Sequence, residues 1–380
     1  MLELVTNKIY YRININMKKI VKIFIVIGIF FVLVTFANEE PQISVLAYHN
    51  LDLKSKTDYT VSSQQLRDQI YNLRQRGYKF VTLKQVEDFY YKDSDLPSRS
   101  VAITFDDGNL NTYTIAYPLL KQLNVPFTLF IYPNAINVGH KMKFMNWDEV
   151  KELATNGVII GSHSYSHPFL TRPVDVKTPE QYHKWLVEEC LGSKQYIENK
   201  IGVSVNYFAI PFGVIDRRSW QALKNANYKL IFDINGMNNT KEDNPLLMHR
   251  MIIAQSESLT RVLSKIYTKP IYFDYTYPSN LERINNGNFI ARYKIKNAAN
   301  YDLKSVRLLF GKPKKGYEQV NVSMNYNEIS IKNEAFYGAA VVGLDKKGRS
   351  CLGSWNFIYQ KQLPSFFKET WNLIPLNAVN

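Results

Sequence analysis

"AITFDDGN", residues 102–109, reads as a buried apolar strand that runs straight into two adjacent carboxylates and a glycine. Together with Ser100 and Val101 the run is continuous rather than alternating, and its length suits a strand. On either side short apolar runs alternate with segments of helical period. "ISVLAY" (43–48) predicts a strand, and "SSQQLRDQIYNLRQRG" predicts a helix, with Leu66, Ile70 and Leu73 on one face, a Ser cap and Gly77 at the end. "YKFVTL", "PFTLFIYP", "VIIGSHS", "NYFAIPFG", "KLIFDI" and "LLMHRMII" read as further strands, with helical stretches between them and a last helix near 258–267. This is the pattern of repeated β/α units around a parallel sheet or barrel. Polar loops follow the strands at their C-terminal ends, where such folds build their chemistry.

After about Lys269 the texture changes. "NFIARYKIKNAANYDLKSVRLLFGK", "AFYGAAVVGLDKKGR" and "SWNFIYQ" are alternating runs split by Gly, Asn and Lys turns, which predicts a small all-β, sandwich-like domain over 271–380. That segment holds 15 Lys or Arg against 8 Asp or Glu. A surface of that sign suits either an ordinary solvated face or one that docks on an anionic wall.

The whole chain is 380 residues, 46% hydrophobic and 14% aromatic, which excludes a disordered protein and leaves room for one large domain and a smaller one. Lys and Arg exceed Asp and Glu by 47 to 33. The excess is spread without a dense basic run, so it is read as a solvated surface compatible with a cell envelope or membrane surface, and no nucleic-acid partner is expected. Before the first strand, Lys18, Lys19 and Lys22 precede an apolar stretch from Ile23 to Phe36, then Ala37 and acidic residues. Residues 1–37 thus predict a secretory signal peptide cleaved near Ala37, or a retained signal anchor, with Met17 a candidate true start. Either places the rest of the chain outside the cytoplasm, secreted or on the outer face of the membrane. Only Cys190 and Cys351 are present, in different predicted domains, so two unpaired or buried thiols are expected rather than a disulfide.

Three of the six histidines fall at strand ends: His49 after the first strand, and His163 and His167 in "GSHSYSH". In a barrel these ends converge with Asp106 and Asp107 on one face. Two imidazoles at i and i+4 plus a carboxylate make a three-ligand set with open positions, which suits a catalytic divalent metal of the zinc kind. Alone, H-x-x-x-H is a weak signal; its conjunction with "TFDDG" is what gives it weight.

"TFDDG" followed by "HSYSHP" resembles the polysaccharide deacetylases of carbohydrate esterase family four, which carry the NodB-homology domain. "DEVKELATNGVIIGSH" resembles them too, and the similarity spans about 43–267. "SVLAYHN" and "YTVSSQQLRDQIYNLRQRGYKFVTL" are similar to the branch that deacetylates biofilm poly-N-acetylglucosamine. The resemblance implies an α/β fold with a distorted (β/α) barrel. It makes Asp106 the general base, and Asp107, His163 and His167 the ligands of a divalent metal, Zn2+ first, with Co2+, Ni2+ or Fe2+ as alternatives. In the family's third motif a backbone N–H after the proline helps hold the oxyanion, which puts Pro211 and Phe212 of "AIPFG" in that place. Where many members carry an arginine that orients the base, this chain has Ala209, as the biofilm branch also lacks it. The general acid is either His49, from the early "YH", or His249, from "LLMHR"; the branch resemblance favours His49.

These residues imply an exported metal-dependent hydrolase that removes N-acetyl groups from an N-acetylglucosamine-type polysaccharide, whether poly-N-acetylglucosamine, peptidoglycan or a chitin-like polymer. Two other readings stand beside it. One is an O-acetyl esterase on a polysaccharide such as xylan, since the same site can cleave an ester. The other is an inactive surface glycan-binding protein, against which the intact Asp, Asp, His, His set argues.

Overall fold

The computed structural model describes residues 41–52, 59–171, 176, 178–284, 288–312, 316–319, 328–332 and 338–359. The predicted leader at 1–37 lies outside the described residues. From Gln42 onward the described residues belong to one compact unit.

Seven parallel strands form its principal sheet: β1 (Gln42–Tyr48), β2 (Arg99–Phe105), β3 (Phe127–Ile131), β4 (Ile159–Ser162), β5 (Tyr207–Ala209), β6 (Leu230–Phe232) and β7 (Met251–Ile252). Their order is β7-β1-β2-β3-β4-β5-β6. A single parallel bridge, Phe232↔Met248, brings the chain just before β7 against β6, so the sheet curls into a distorted barrel. The stretch "YKFVTL" yields only the two-residue strand Lys79–Phe80, which pairs with Ser100 and Val101 at the start of β2.

The helices start where the sequence offers a side-chain acceptor. In α1 (Ser63–Gln75) and α2 (Leu83–Tyr91), Ser62 with Gln65 and Thr82 with Gln85 close reciprocal caps. In α1 the buried face is Leu66, Gln69, Ile70 and Leu73. The remaining helices used here are α3 (Trp147–Thr155), capped by Asn146, α4 (Pro179–Val187), capped by Thr178, and α5 (Ser193–Ile201). A π-helical turn, Glu188–Gly192, joins α4 to α5 and carries Glu189 inward.

Strand alternation divides the buried residues into two sets. On β2, Val101, Ile103 and Phe105 join the large cluster under the helices, while Ala102 joins Ile43, Val45, Phe130, Tyr207, Ala209 and Phe232 inside the barrel. Continuing that period, Ala102, Thr104 and Asp106 share the interior side. Asp106 is therefore aimed into the barrel by the strand itself.

The C-terminal strands are β8 (Phe273–Tyr277), β9 (Glu282–Ile284), β10 (Asn288–Ile295), β11 (Tyr301–Lys312), β12 (Gly316–Gln319), β13 (Glu328–Lys332), β14 (Ala339–Asp345), β15 (Ser350–Trp355) and β16 (Phe357–Tyr359). They form small sheets in the orders β15-β14-β11-β12, with Lys269–Pro270 on the β15 edge, β8-β10-β13, and β9-β16. Ile271, Ile284, Tyr293, Ile295, Phe310, Val341, Trp355 and Phe357 contribute to their common core. Buried polar contacts tie these sheets to the barrel. Arg283 donates to Asp216 at 2.7 Å and to the Thr171 carbonyl at 2.9 Å, and Asn356 donates to Asp233 at 3.1 Å. Cys190 and Cys351 are both buried and free. Among the described residues no helix is long and apolar enough to cross a membrane.

Candidate functional site

The site forms where β2 and β4 end. Asp107, immediately after Asp106, has φ +73°, and Gly108 follows at +80°. Two successive left-handed residues reverse the chain, so the adjacent carboxylates diverge from one another. At Gly108 both conformation and space demand glycine, because a Cβ would lie 2.7 Å from Ile136 Cδ1 and 3.1 Å from Ile131 Cγ2.

After β4, His163 is fixed by its backbone N–H to the Ile131 carbonyl at 2.7 Å and by Nδ1 to the Ala209 carbonyl at 2.7 Å. A carbonyl can only accept, so Nδ1 carries the hydrogen and Nε2 keeps its lone pair. The turn to His167 is held by Glu189, whose carboxylate accepts the N–H groups of Tyr165 and Ser166, each at 2.9 Å, and the Ser166 hydroxyl at 2.6 Å. Ser164 and His167 both have positive φ, at 66° and 60°. A clamped, left-handed turn of this kind is costly unless its surroundings fix it, and such backbone gathers at functional sites.

Asp107, His163 and His167 form a group that could hold a metal ion. The two Nε2 atoms are 3.1 Å apart, and Asp107 Oδ1 lies 3.5 Å from that of His167 and 3.8 Å from that of His163. Zinc bonds of about 2.1 Å in a tetrahedral array set ligand atoms roughly 3.4 Å apart, so the three donors bracket the required spacing. Burial lowers the pKa of His163 to about 4 despite the opposing pull of Asp106, and burial lowers that of His167 as well. Both rings are thus neutral donors at ordinary pH.

Asp106 stands beside this group, its Oδ2 3.8 Å from His163 Nε2 and 3.9 Å from His49 Nε2. It is 1% exposed. Beneath it lies Arg250, wholly buried, whose Nη1 donates to Oδ1 at 2.6 Å and Nη2 to Oδ2 at 2.8 Å. Arg250 also reaches Thr104 Oγ1 at 3.2 Å and the Asp233 carbonyl at 3.4 Å, and its guanidinium lies 5.2 Å from the Phe130 ring centroid. Burial alone would raise the Asp106 pKa; the charge and hydrogen bonds of Arg250, aided by His163, outweigh it and hold the carboxyl far below the usual range.

The two rival histidines part company. His49 is next to Asp106, its ring 5.2 Å from that of Tyr59, and its buried Nδ1 has no hydrogen-bond partner among the described residues. His249 points the other way. Its Nδ1 lies 3.0 Å from both oxygens of Asp233, and its N–H donates to Asn239. Adjacent residues on an extended segment project to opposite faces, so with Arg250 turned inward His249 is turned out.

Pro211 is buried, and Phe212, with φ +59° and 45% exposed, places its ring 4.7 Å from that of His167 and stacked at 4.0 Å on Phe169. The "AIPFG" segment therefore borders the metal-ligand group. Arg250 is the residue that sequence reasoning missed. The charge absent at Ala209 enters from a point 144 residues beyond Asp106, and the one available signal was the arginine following His249 in "LLMHR".

Residues 93–231 match the family model described as polysaccharide deacetylase. Among curated proteins, the chain is similar to the poly-beta-1,6-N-acetyl-D-glucosamine N-deacetylase of Staphylococcus aureus strain MRSA252, with 27% identity over 204 residues, 53% of this chain and 70% of that protein. It is also similar to the protein of that name from Escherichia coli K12, with 23% identity over 283 residues, 63% of this chain and 42% of the relative. Among solved structures, IcaB from Ammonifex degensii aligns with TM-score 0.53 and 25% identity, covering 60% of this chain and 98% of that one. A Streptococcus pyogenes deacetylase, PplD, solved in complex with acetate, aligns with TM-score 0.54 and 21% identity over 60% of this chain and 99% of its own, a likeness of fold.

Proposed function

We infer, for a chain that carries a domain of the polysaccharide deacetylase family over residues 93–231, that it hydrolyses the N-acetyl amide of a poly-N-acetylglucosamine-type polymer outside the cytoplasm. The observation that carries this reading is the pairing of a three-donor group, Asp107, His163 and His167, with a separate carboxylate, Asp106, that remains ionised. The polymer is drawn from the relatives named for poly-beta-1,6-N-acetyl-D-glucosamine.

A divalent cation held by Asp107, His163 and His167, most simply zinc, would polarise the acetyl carbonyl and acidify the attacking water. Asp106 receives the proton of that water. Arg250 lowers the Asp106 pKa through its charge and its two hydrogen bonds, which keeps the carboxylate ionised and oriented to take that proton. His49, its Nε2 3.9 Å from Asp106 Oδ2, donates a proton to the departing amine. The Phe212 N–H, after Pro211, supports the developing oxyanion. Phe212 and Phe169 offer a stacked aromatic wall for a sugar ring. We assign 43–267 to the deacetylase domain and 271–380 to an accessory β domain, with residues 1–37 as the export signal or anchor.

The test is acetate release from two substrates by the metal-loaded protein, a β-1,6-linked N-acetylglucosamine oligomer and an O-acetylated xylan oligomer. The amide substrate should be turned over with the higher kcat/KM. Preference for the ester would favour the O-acetyl esterase instead, and release from neither would remove the enzyme reading.

A further inference from the structure

Away from the metal-ligand group, a pocket of about 330 Å³ opens between the segment around Asp243 and His249 and strands β8 and β15. Tyr272, Phe273, Tyr275 and Trp355 give it aromatic walls. The register of β8 against β10 shifts between Phe273 and Tyr275, an irregularity of the kind that re-aims side chains, and Tyr275 is 51% exposed.

Its polar groups are incompletely satisfied. Asp243 accepts the Thr240 N–H and the Tyr272 hydroxyl, both at 2.7 Å and both on Oδ2. Among the described residues no basic side chain is within salt-bridge distance of it, unlike the neighbouring Glu242, which Lys296 pairs at 2.5 Å. Burial raises the Asp243 pKa against the opposing charge of His249 and the hydrogen bonds from Thr240 and Tyr272. Trp355 is 3% exposed, and its buried indole N–H has no hydrogen-bond partner among the described residues. His249 is fixed to Asp233 at the pocket margin.

Aromatic faces with a carboxylate suit a sugar ring, whose C–H faces stack and whose polar groups donate. The sign of the unpaired charge narrows the choice. In a chain of net charge +14, a pocket carboxylate with no basic side chain in salt-bridge reach among the described residues favours a cation. We propose that this pocket binds a de-N-acetylated glucosamine unit of the polymer, its ammonium group on Asp243 and its ring against Tyr275. The proposal rests on the deacetylase reading, because each turnover of that reaction creates such a unit. The pocket would retain a partly processed polymer while acetylated units reach Asp106.

Titration of a fully de-N-acetylated β-1,6-glucosamine hexamer into the metal-loaded full chain tests this, with Asp243→Asn and the exposed Tyr275→Ala as variants. Acetate release from a short N-acetylglucosamine oligomer is read separately. The hexamer should bind the wild type, its Kd should rise at least tenfold in both variants, and acetate release should stay unchanged. Failure of the wild type to bind, or binding that neither substitution weakens, overturns the proposal. Hexamer binding weakened by the variants in a protein that releases no acetate would keep the amino-sugar site and remove the deacetylase reading alone.

Discussion

Arg250 holds Asp106 through both carboxylate oxygens, at 2.6 and 2.8 Å, in a pair with almost no access to solvent. A planar fork of two N–H groups matches a carboxylate in a way a lysine ammonium cannot. Arg250→Lys should keep the metal but lower kcat by tenfold or more, because the base is no longer oriented. Arg250→Met leaves a buried charge without its partner and should destabilise the fold by about 3–5 kcal/mol. Denaturant titration and metal analysis of both variants check this; a lysine variant with wild-type kcat would contradict the positioning role.

The assignment of the acid separates two histidines that differ in neighbour. His49→Ala should lose turnover by about 10²–10⁴-fold with metal content retained, since His49 is 3.9 Å from Asp106 and is not one of the three ligand residues. His249→Ala should leave the chemistry nearer to wild type, because its ring is committed to Asp233. Parallel rates and metal analyses decide the matter, and the reverse ranking would transfer the role to His249.

His249 should instead mark stability. Burial tends to lower its pKa, but the charge and hydrogen bond of Asp233, with Asp243 behind, raise it above the ordinary 6.5. A raised native pKa means that the protonated pair stabilises the fold fully below the unfolded value of about 6.5, and that this contribution fades as pH rises through the native value. The Tm gap between wild type and His249→Gln should therefore be widest in mild acid and narrow as the solution becomes alkaline. A gap that widens with pH would contradict the charged pair.

Much of this was legible in the sequence, and for identifiable reasons. The serine cap of α1 acts over three residues, and the ligand pair His163 and His167 spans one turn, so both leave local signatures. Asp106 could be placed inside the barrel by strand alternation once β2 was recognised. Arg250 could not be paired with it, because the contact closes across 144 residues and depends on the sheet curling until the segment before β7 meets β6. The same closure turns His249 away from the site, so on the sequence alone only the branch resemblance favoured His49. The pocket walled by Tyr275 and Trp355 is likewise assembled from two distant strands, with no motif to announce it.

Glu189 acts on the ligands through the turn between them. Its carboxylate gathers two N–H groups and a hydroxyl of that turn. Glu189→Gln puts an amide group where donors converge, and should weaken metal binding by about 10–100-fold while Asp106 and His49 stay in place. Competition for zinc against a chromophoric chelator measures this; unaltered affinity would show that the turn holds its shape unaided.

The central claim is that Asp106 and Asp107 divide two tasks, one as base and one as metal ligand. Asp106→Asn, loaded with zinc and assayed for acetate release from a β-1,6-linked N-acetylglucosamine oligomer, tests it most directly. The account predicts a stoichiometric metal content with a rate lowered by about 10²–10⁴-fold. A variant that binds zinc and releases acetate at the wild-type rate would contradict it.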